Sequence, residues 1–318
     1  MTGRTERGRA VVVVGSEGFI GGAFARRLRR EWRPMFGIRS RAELQTTAAR
    51  RVLRNADVVF YLAGSLSPVL AAQRPDLVRR ETDSLDYCLE VCGGGRRRPR
   101  LVFASSGGTI YSSQRPPPYR EGDEVAPSNR YGEMKLAMEA RILGSEYVTP
   151  QIVRLSNVYG PGQHARRGVG VISHWLEAIS RGESLALFGD PRSTRDYVFI
   201  DDVVSALLRF IDVPGSLPGV INIGSGQATE LSTLARTVSE CTGGGELNIS
   251  RRGARRSDRS RVWLEVELAR QVLDWSPQTE LAAGIETTWR LGFSESRRFL
   301  TLPPSPGRGS FAPGRAVF

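Results

Sequence analysis

"RAVVVVGSEGFIGGAFARRLRRE" (residues 9–31) changes its hydrophobic period halfway along. Four consecutive valines, Val11 to Val14, make a short β-branched run that stops at Gly15. From Phe19 onward the apolar residues Phe19, Ile20, Phe24 and Leu28 recur at helical spacing. The stretch reads as buried strand, tight turn and helix. Gly15, Gly18 and Gly21 fall in the turn as G-x-x-G-x-x-G. Glycine permits the turn, lets backbone approach a pyrophosphate and lets helix pack closely on strand. The helix N-terminus then offers free N–H groups to the anion. In this context the pattern predicts a dinucleotide site.

The alternation continues on the C-terminal side. "PMFGI" (34–38), "ADVVFYLAG" (56–64), "RLVFASS" (100–106) and "PQIVRLSNVYG" (150–160) read as strands, and "DSLDYCLEVC" (83–92) and "YGEMKLAMEARILGSE" (131–146) as helices. Strands alternating with helices imply a parallel sheet covered on both faces, a doubly wound α/β architecture of the Rossmann type. Past residue 165 the units become shorter: "VGVISHWLEAISRG" (169–182), "SLALFGD" (184–190), "RDYVFIDDVVSALLRFID" (195–212) and "GVINIGS" (219–225). The expected organisation is a flexible N-terminus (1–9), a dinucleotide-binding domain (10–165), a smaller C-terminal substrate-binding lobe interleaved with its sheet (166–300) and a disordered Pro/Gly-rich tail (301–318).

At 318 residues and 40% hydrophobic content the chain can bury a large core. No apolar run reaches the length of a membrane span, and residues 1–9 lack the apolar stretch of a signal peptide. Cys88, Cys92 and Cys241 have no metal-ligand spacing; Cys88 and Cys92 lie one helical turn apart and read as helix packing. No metal site is expected, and the thiols suit a reducing cytoplasm. The net charge is +12, but the arginines look scattered. The two clusters, "GGGRRRPR" (93–100) and "RRGARRSDRSR" (251–261), carry no interleaved aromatics for stacking. Neither nucleic acid nor membrane is expected as a partner; an anionic small molecule is.

Of the 45 basic residues only Lys135 is a lysine, and it follows Tyr131 by four residues. Positions i and i+4 share a helix face. An ammonium beside a phenol favours phenolate and lowers the tyrosine pKa towards the range of a general acid/base. A compact ammonium can also bond ribose hydroxyls where a planar guanidinium does not fit. The second strand ends in "GIRSR", without the acid that would hold a ribose 2′-hydroxyl. Arg39 there suits the 2′-phosphate of NADP, or is one more solvated arginine.

With these motifs in order, the sequence resembles the extended short-chain dehydrogenase/reductases, in particular their NAD-dependent epimerase/dehydratase branch acting on nucleotide sugars. The resemblance spans about residues 10–295 and includes "FYLAG" (60–64), "SSGGTIY" (105–111), "YGEMK" (131–135), "RLSNVYGPG" (154–162), "RDYVFIDDV" (195–203), "INIGSGQATEL" (221–231) and "LDWSPQTEL" (273–281). It implies Tyr131 as catalytic acid/base and Lys135 as its partner on the nicotinamide ribose. It implies a cofactor bed of Gly15, Gly18, Phe19, Ile20, Gly21, Arg39, Leu62, Ala63, Gly64 and Ser105, and a nucleotide-diphosphate sugar held by Asn157, Leu187, Phe188, Arg195, Arg255 and Asp258. A homodimer is implied as well.

Three features depart from the family pattern. Gly107 stands where Ser or Thr is usual, so Ser106 or Thr109 is expected to take over the hydrogen bond to the sugar. The segment between Arg41 and Ala56 lacks the usual strand that contacts adenine. Glu81 replaces a common Asn. His164 and His174 read as solvated, Asp201 and Asp202 as helix-capping, and Trp175, Trp263, Trp275 and Trp289 as lobe core. The resemblance implies a sugar-nucleotide 4-epimerase holding NAD. Its alternatives are an NADPH-dependent 4-ketoreductase of deoxysugar biosynthesis and, from a different class, a non-catalytic dinucleotide-binding or nucleic-acid-binding protein.

Overall fold

The computed structural model describes residues 9–165, 170–243, 249–252 and 260–293. Chain order begins β1 (Val11–Val14), α1 (Phe19–Arg30), β2 (Met35–Ile38), α2 (Arg41–Leu44), α3 (Thr47–Arg54) and β3 (Val58–Tyr61). It continues with α4 (Pro68–Gln73), α5 (Pro75–Gly93), β4 (Arg100–Ser106), α6 (Gly107–Ile110), α7 (Arg130–Leu143) and β5 (Thr149–Leu155). The second half holds β6 (Asn157–Tyr159), α8 (Val171–Ser180), β7 (Leu185–Phe188), β8 (Thr194–Arg195), β9 (Tyr197–Phe199), α9 (Ile200–Asp212) and β10 (Val220–Ile223). Last come β11 (Thr229–Glu230), α10 (Leu231–Thr242), β12 (Ile249–Arg252), β13 (Arg261–Val262), α11 (Glu267–Leu273) and α12 (Leu281–Gly292). Residues 1–8 and the C-terminal tail expected to be disordered lie outside the described residues.

Six strands form one parallel sheet in the order β10-β5-β4-β3-β1-β2. The four-valine run serves both faces. Val11 and Val13 enter the core shared with Phe24, Leu28 and the second half of the chain, whereas Val12 and Val14 enter the core formed with Leu85, Phe103 and Met138. A strand buried on both sides has no use for polar alternation. Chain connection reverses between β1 and β3, which opens a crevice at the carboxyl ends of these strands. Strand β2 is the edge of the sheet, and residues 41–56 beyond it coil into α2 and α3. Thr46 caps α3 by accepting from the Ala49 N–H (3.2 Å).

One expected element divides. Residues 150–160, read as a single strand, break at Ser156. The Ser156 N–H still donates to Ile223 of β10 (3.0 Å), but the next N–H, of Asn157, donates to Asp196 (3.0 Å). The chain thereby leaves the main sheet and pairs as β6 with β9. Asp202 is structural, as expected, but it does not cap its own helix. Its buried carboxylate accepts from the Gln278 and Thr279 N–H groups (3.1 and 3.0 Å) and ties the approach to α12 onto α9. Trp175 and Trp275 are buried; Cys88 and Cys92 are buried free thiols.

Helix α7 is fixed to the sheet by a buried polar cluster. Arg154 of β5 reaches Glu139 of α7 at 2.7 Å, with both side chains nearly inaccessible. Glu139 also accepts from the Ser105 hydroxyl of β4, and the Arg154 guanidinium lies 4.9 Å from the centroid of the Tyr111 ring. Removing one member of a buried pair leaves an uncompensated charge, which costs more than the pair contributes. Glu139→Ala should therefore lower the unfolding free energy by about 3–5 kcal/mol in urea titrations. Glu139→Ala combined with Arg154→Met should recover part of that loss, because no charge is then left stranded.

Candidate active site

The glycine loop fits a dinucleotide on steric grounds. Gly15 has φ +88°, and a Cβ there would lie 2.6 Å from the Ala63 nitrogen. At Gly21 a Cβ would lie 2.1 Å from the Gly15 carbonyl oxygen. No side chain caps α1 and no acid occupies its first turn, so N–H groups are left for an anion. Gly15 and Ser16 donate to the Ile38 carbonyl (2.8 and 3.2 Å), and Leu62 donates to that of Val14 (2.9 Å). These bonds seat the turns after β1, β2 and β3 side by side. Phe19 and Ile20 pack half-buried against the core behind the turn. A side chain at Gly64 would begin 3.8 Å from the Lys135 ammonium, so the loop after β3 borders the candidate catalytic helix directly.

Helix α7 starts where its sequence calls for it. Asn129 caps it by accepting from the Gly132 N–H (3.0 Å), and Gly132 allows it to lie against α6. A Cβ at position 132 would stand 2.7 Å from the Thr109 carbonyl oxygen. The glycine between Tyr131 and Glu133 thus brings Tyr131 to the helix that carries Thr109. The Thr109 hydroxyl donates to that of Ser106 (2.9 Å), so the two hydroxyls expected to serve in place of a Ser or Thr at 107 form a pair. Gly107 is small for a packing reason: a Cβ there would lie 2.7 Å from Leu264, whose side chain fills the space. The Ser105 hydroxyl is directed to Glu139, which leaves its backbone for any ligand contact.

Lys135 is 5% exposed, donates to the Ala104 carbonyl (3.0 Å) and lies 4.7 Å from the centroid of Phe103 and 5.9 Å from that of Tyr131. The expectation that it lowers the Tyr131 pKa is corrected here. Burial pushes the half-buried phenol well above its ordinary value, and the Glu81 carboxylate pushes in the same direction. Burial pushes the Lys135 ammonium down, against the pull of Glu81 and Glu139. Desolvation is the leading cause of both directions. Glu81 was noted in the sequence only as a departure. It accepts from the Ser65 N–H and hydroxyl (2.6 and 2.9 Å) and from the Leu66 N–H (3.2 Å), holding the loop after β3.

On the other side of the crevice, Asn157 is exposed and its amide donates to the Asp196 carbonyl (2.9 Å). Arg195 is half-buried in β8, with one guanidinium N–H on the Thr194 carbonyl (2.8 Å). Sequence reasoning passed over Asp196, which organises this wall. Its buried carboxylate accepts from Ser225 (N–H 2.8 Å, hydroxyl 2.7 Å), from the Gly226 N–H (3.3 Å) and from the Leu264 N–H (3.3 Å). Burial nevertheless raises its pKa. Leu187 is buried in the lobe interior. Arg255, Asp258 and the Phe188 side chain lie outside the described residues. His164 and His174 are exposed, and among the described residues no group of acids, histidines and cysteines could hold a metal.

Arg39 stands just past the end of β2 and lines a cavity of about 380 Å³ together with Ser16, Glu17, Met35 and Gly37 among others. It is not a free cation. Glu43 accepts from its side chain (3.1 Å) and from its backbone N–H (2.7 Å), and Glu17 lies 3.9 Å away.

A chain so arranged has known relatives. It is 31% identical over 253 residues to the UDP-glucose 4-epimerase of Mycolicibacterium smegmatis, covering 73% of this chain and 74% of that protein. It is 28% identical over 328 residues to a dTDP-4-dehydro-6-deoxy-D-allose reductase of Streptomyces, covering 91% and 98%. Among solved structures, MoeE5 in complex with UDP-glucose and NAD superposes with a TM-score of 0.77 at 29% identity, over 92% of this chain and 100% of that one. The model of the NAD dependent epimerase/dehydratase family matches residues 11–224. The glycine crevice and the Tyr131/Lys135 helix beside it are thus those of a family member: the chain belongs to the NAD dependent epimerase/dehydratase family.

Proposed function

We propose that the protein is a nucleotide-diphosphate hexose 4-epimerase holding NAD, acting as a cytoplasmic homodimer. The observation that carries this reading is the convergence of Tyr131, Lys135 and the Ser106–Thr109 hydroxyl pair beside the loop at Gly64. The cofactor's nicotinamide supplies an acceptor and donor of hydride at the sugar C4. Tyr131 takes the proton of the C4 hydroxyl as the alcohol becomes a ketone and returns it after the sugar has turned its other face. The Ser106–Thr109 pair orients the same oxygen. Lys135 would hold the nicotinamide ribose through its ammonium. Arg195 neutralises the diphosphate, and Asn157 lines the sugar side. Glycine backbone and the uncapped start of α1 receive the cofactor's pyrophosphate.

The second reading, an NADPH-dependent 4-ketoreductase, rests on Arg39. Its pairing with Glu43 and the nearness of Glu17 oppose a 2′-phosphate, which supports NAD and the epimerase.

Tyr131→Phe should lower turnover of UDP-glucose, the trial substrate, by about 10²–10⁴-fold while calorimetric NAD binding stays intact. Because the Glu81 charge raises the Tyr131 pKa, Glu81→Gln should lower it. In pH profiles of kcat/KM, the rise in sugar oxidation as the phenol ionises should move to lower pH. The decline in ketone reduction, which needs the protonated phenol, should move the same way. Wild-type protein should bind NAD more tightly than NADP. Glu43→Gln, which releases Arg39, should tighten NADP about twofold to fivefold in titration calorimetry and leave NAD unchanged. A wild-type preference for NADP would transfer the assignment to the ketoreductase.

A further inference from the structure

All strands of a parallel sheet begin at one end, and here that end faces away from the crevice. The segments leading into β2, β3, β4 and β5 therefore meet on one surface. Arginines that look scattered in sequence are gathered there: Arg29 and Arg30 at the end of α1, Arg54 at the end of α3, and the run Arg96, Arg97, Arg98 before β4, all exposed. The entries to β3, β4 and β5 touch one another. A Cβ at Gly94 would lie 2.9 Å from the Arg54 guanidinium, one at Gly93 would lie 2.6 Å from the Tyr147 ring, and Arg97 pairs with Asp57 (3.2 Å). Glu31 is taken up by Arg27 and Arg33, and Asp212 at the end of α9 by Arg33; Glu90 and Glu146 are further exposed acids at this end, fewer than the arginines.

Two large side chains project from the same end. Tyr147, before β5, is 51% exposed, and Trp32, before β2, is 90% exposed. Trp32 occupies the left-handed region (φ +55°) just past α1, where the N–H of Arg33 closes on the Leu28 carbonyl (2.9 Å). Helices end with glycine or asparagine in that conformation because a bulky side chain is strained there. Neither the helix stop nor the core accounts for a tryptophan at this point.

We propose that this end of the sheet docks the protein reversibly on an anionic phospholipid surface, Trp32 and Tyr147 entering the headgroup layer and the arginines meeting the phosphates. Aromatic rings that are half apolar and half polar settle at that depth, and basic clusters beside them add electrostatic attraction. The spacing favours a membrane over nucleic acid. Four strand intervals separate β2 from β5, which puts the starts of the strands that follow the two rings roughly 19 Å apart. The rings project from separate turns with the arginines between, whereas a nucleic-acid strand needs stacking platforms at successive bases in a groove. A planar anionic surface meets all of these groups at once, with the catalytic crevice left facing the solvent. The sequence expectation of no membrane partner rested on the missing span. No described helix is long and apolar enough to cross a membrane, and surface docking does not require one.

The test is co-sedimentation of the full chain with vesicles of phosphatidylglycerol mixed into phosphatidylcholine, against phosphatidylcholine alone. Binding should appear only with the anionic lipid, weaken with added salt, and shift tryptophan emission to the blue. Trp32→Asn, which keeps a residue that tolerates the left-handed turn, should abolish the shift. Replacing Arg96, Arg97 and Arg98 by Gln should lower partitioning on the order of 100-fold, at about fivefold per arginine. Both variants should retain wild-type melting temperatures and NAD binding. Equal binding to both vesicle types, or none to the anionic ones at low salt, would overturn the proposal. So would wild-type binding of single-stranded DNA that exceeds vesicle binding and is lost in these same variants, which would assign the surface to nucleic acid.

Discussion

The buried contact between Glu139 and Arg154 is the constraint on which the catalytic side of this molecule depends. Glu139 lies one turn beyond Lys135 and two beyond Tyr131 on the same face of α7, so the ion pair that anchors it to β5 also sets where those two side chains stand. Ser105 joins the cluster from β4, with the result that three elements are locked by one set of charge-assisted bonds. Burial at 1% and 6% excludes the water that would otherwise compete for them.

This anchoring has an electrostatic consequence for the site. A side chain brought deep enough to be positioned by packing is also desolvated. Tyr131 and Lys135 consequently move in opposite directions from their ordinary pKa values, each towards its neutral form. Two carboxylates moderate the effect on Lys135, Glu139 from within the helix and Glu81 from α5. Glu81 does so while its oxygen holds the loop after β3. One side chain therefore couples the shape of the loop after β3 to the charge state of Tyr131 and Lys135.

The opposite wall is built on a different principle. Asp196 is a buried carboxylate without a basic partner in its hydrogen-bond set, held by backbone N–H groups and a hydroxyl from residues 225, 226 and 264. It pulls the segment carrying Leu264 over Gly107 and the turn after β10 towards β8, next to Arg195. The glycine at 107 and the leucine at 264 are thus two sides of one packing decision.

Much of this was legible in the chain. The valine run, the glycine spacing and the helical phase of Tyr131 and Lys135 are local patterns, and local patterns survive into the fold because backbone sterics and periodicity operate within a few residues. Strand β4 is found at the residues its sequence suggests, 100–106. What the sequence could not decide depended on partners distant along the chain. The break at Ser156 arises because Asp196, forty residues later, offers the next acceptor. The Tyr131 phenol rises rather than falls because burial is a property of the whole packing, invisible in the spacing of two residues. The pairing of Arg39 with Glu43, on the following short helix, likewise became visible only in the fold. The arginines before β2, β3 and β4 became a surface only when parallel pairing brought the strand starts to one end.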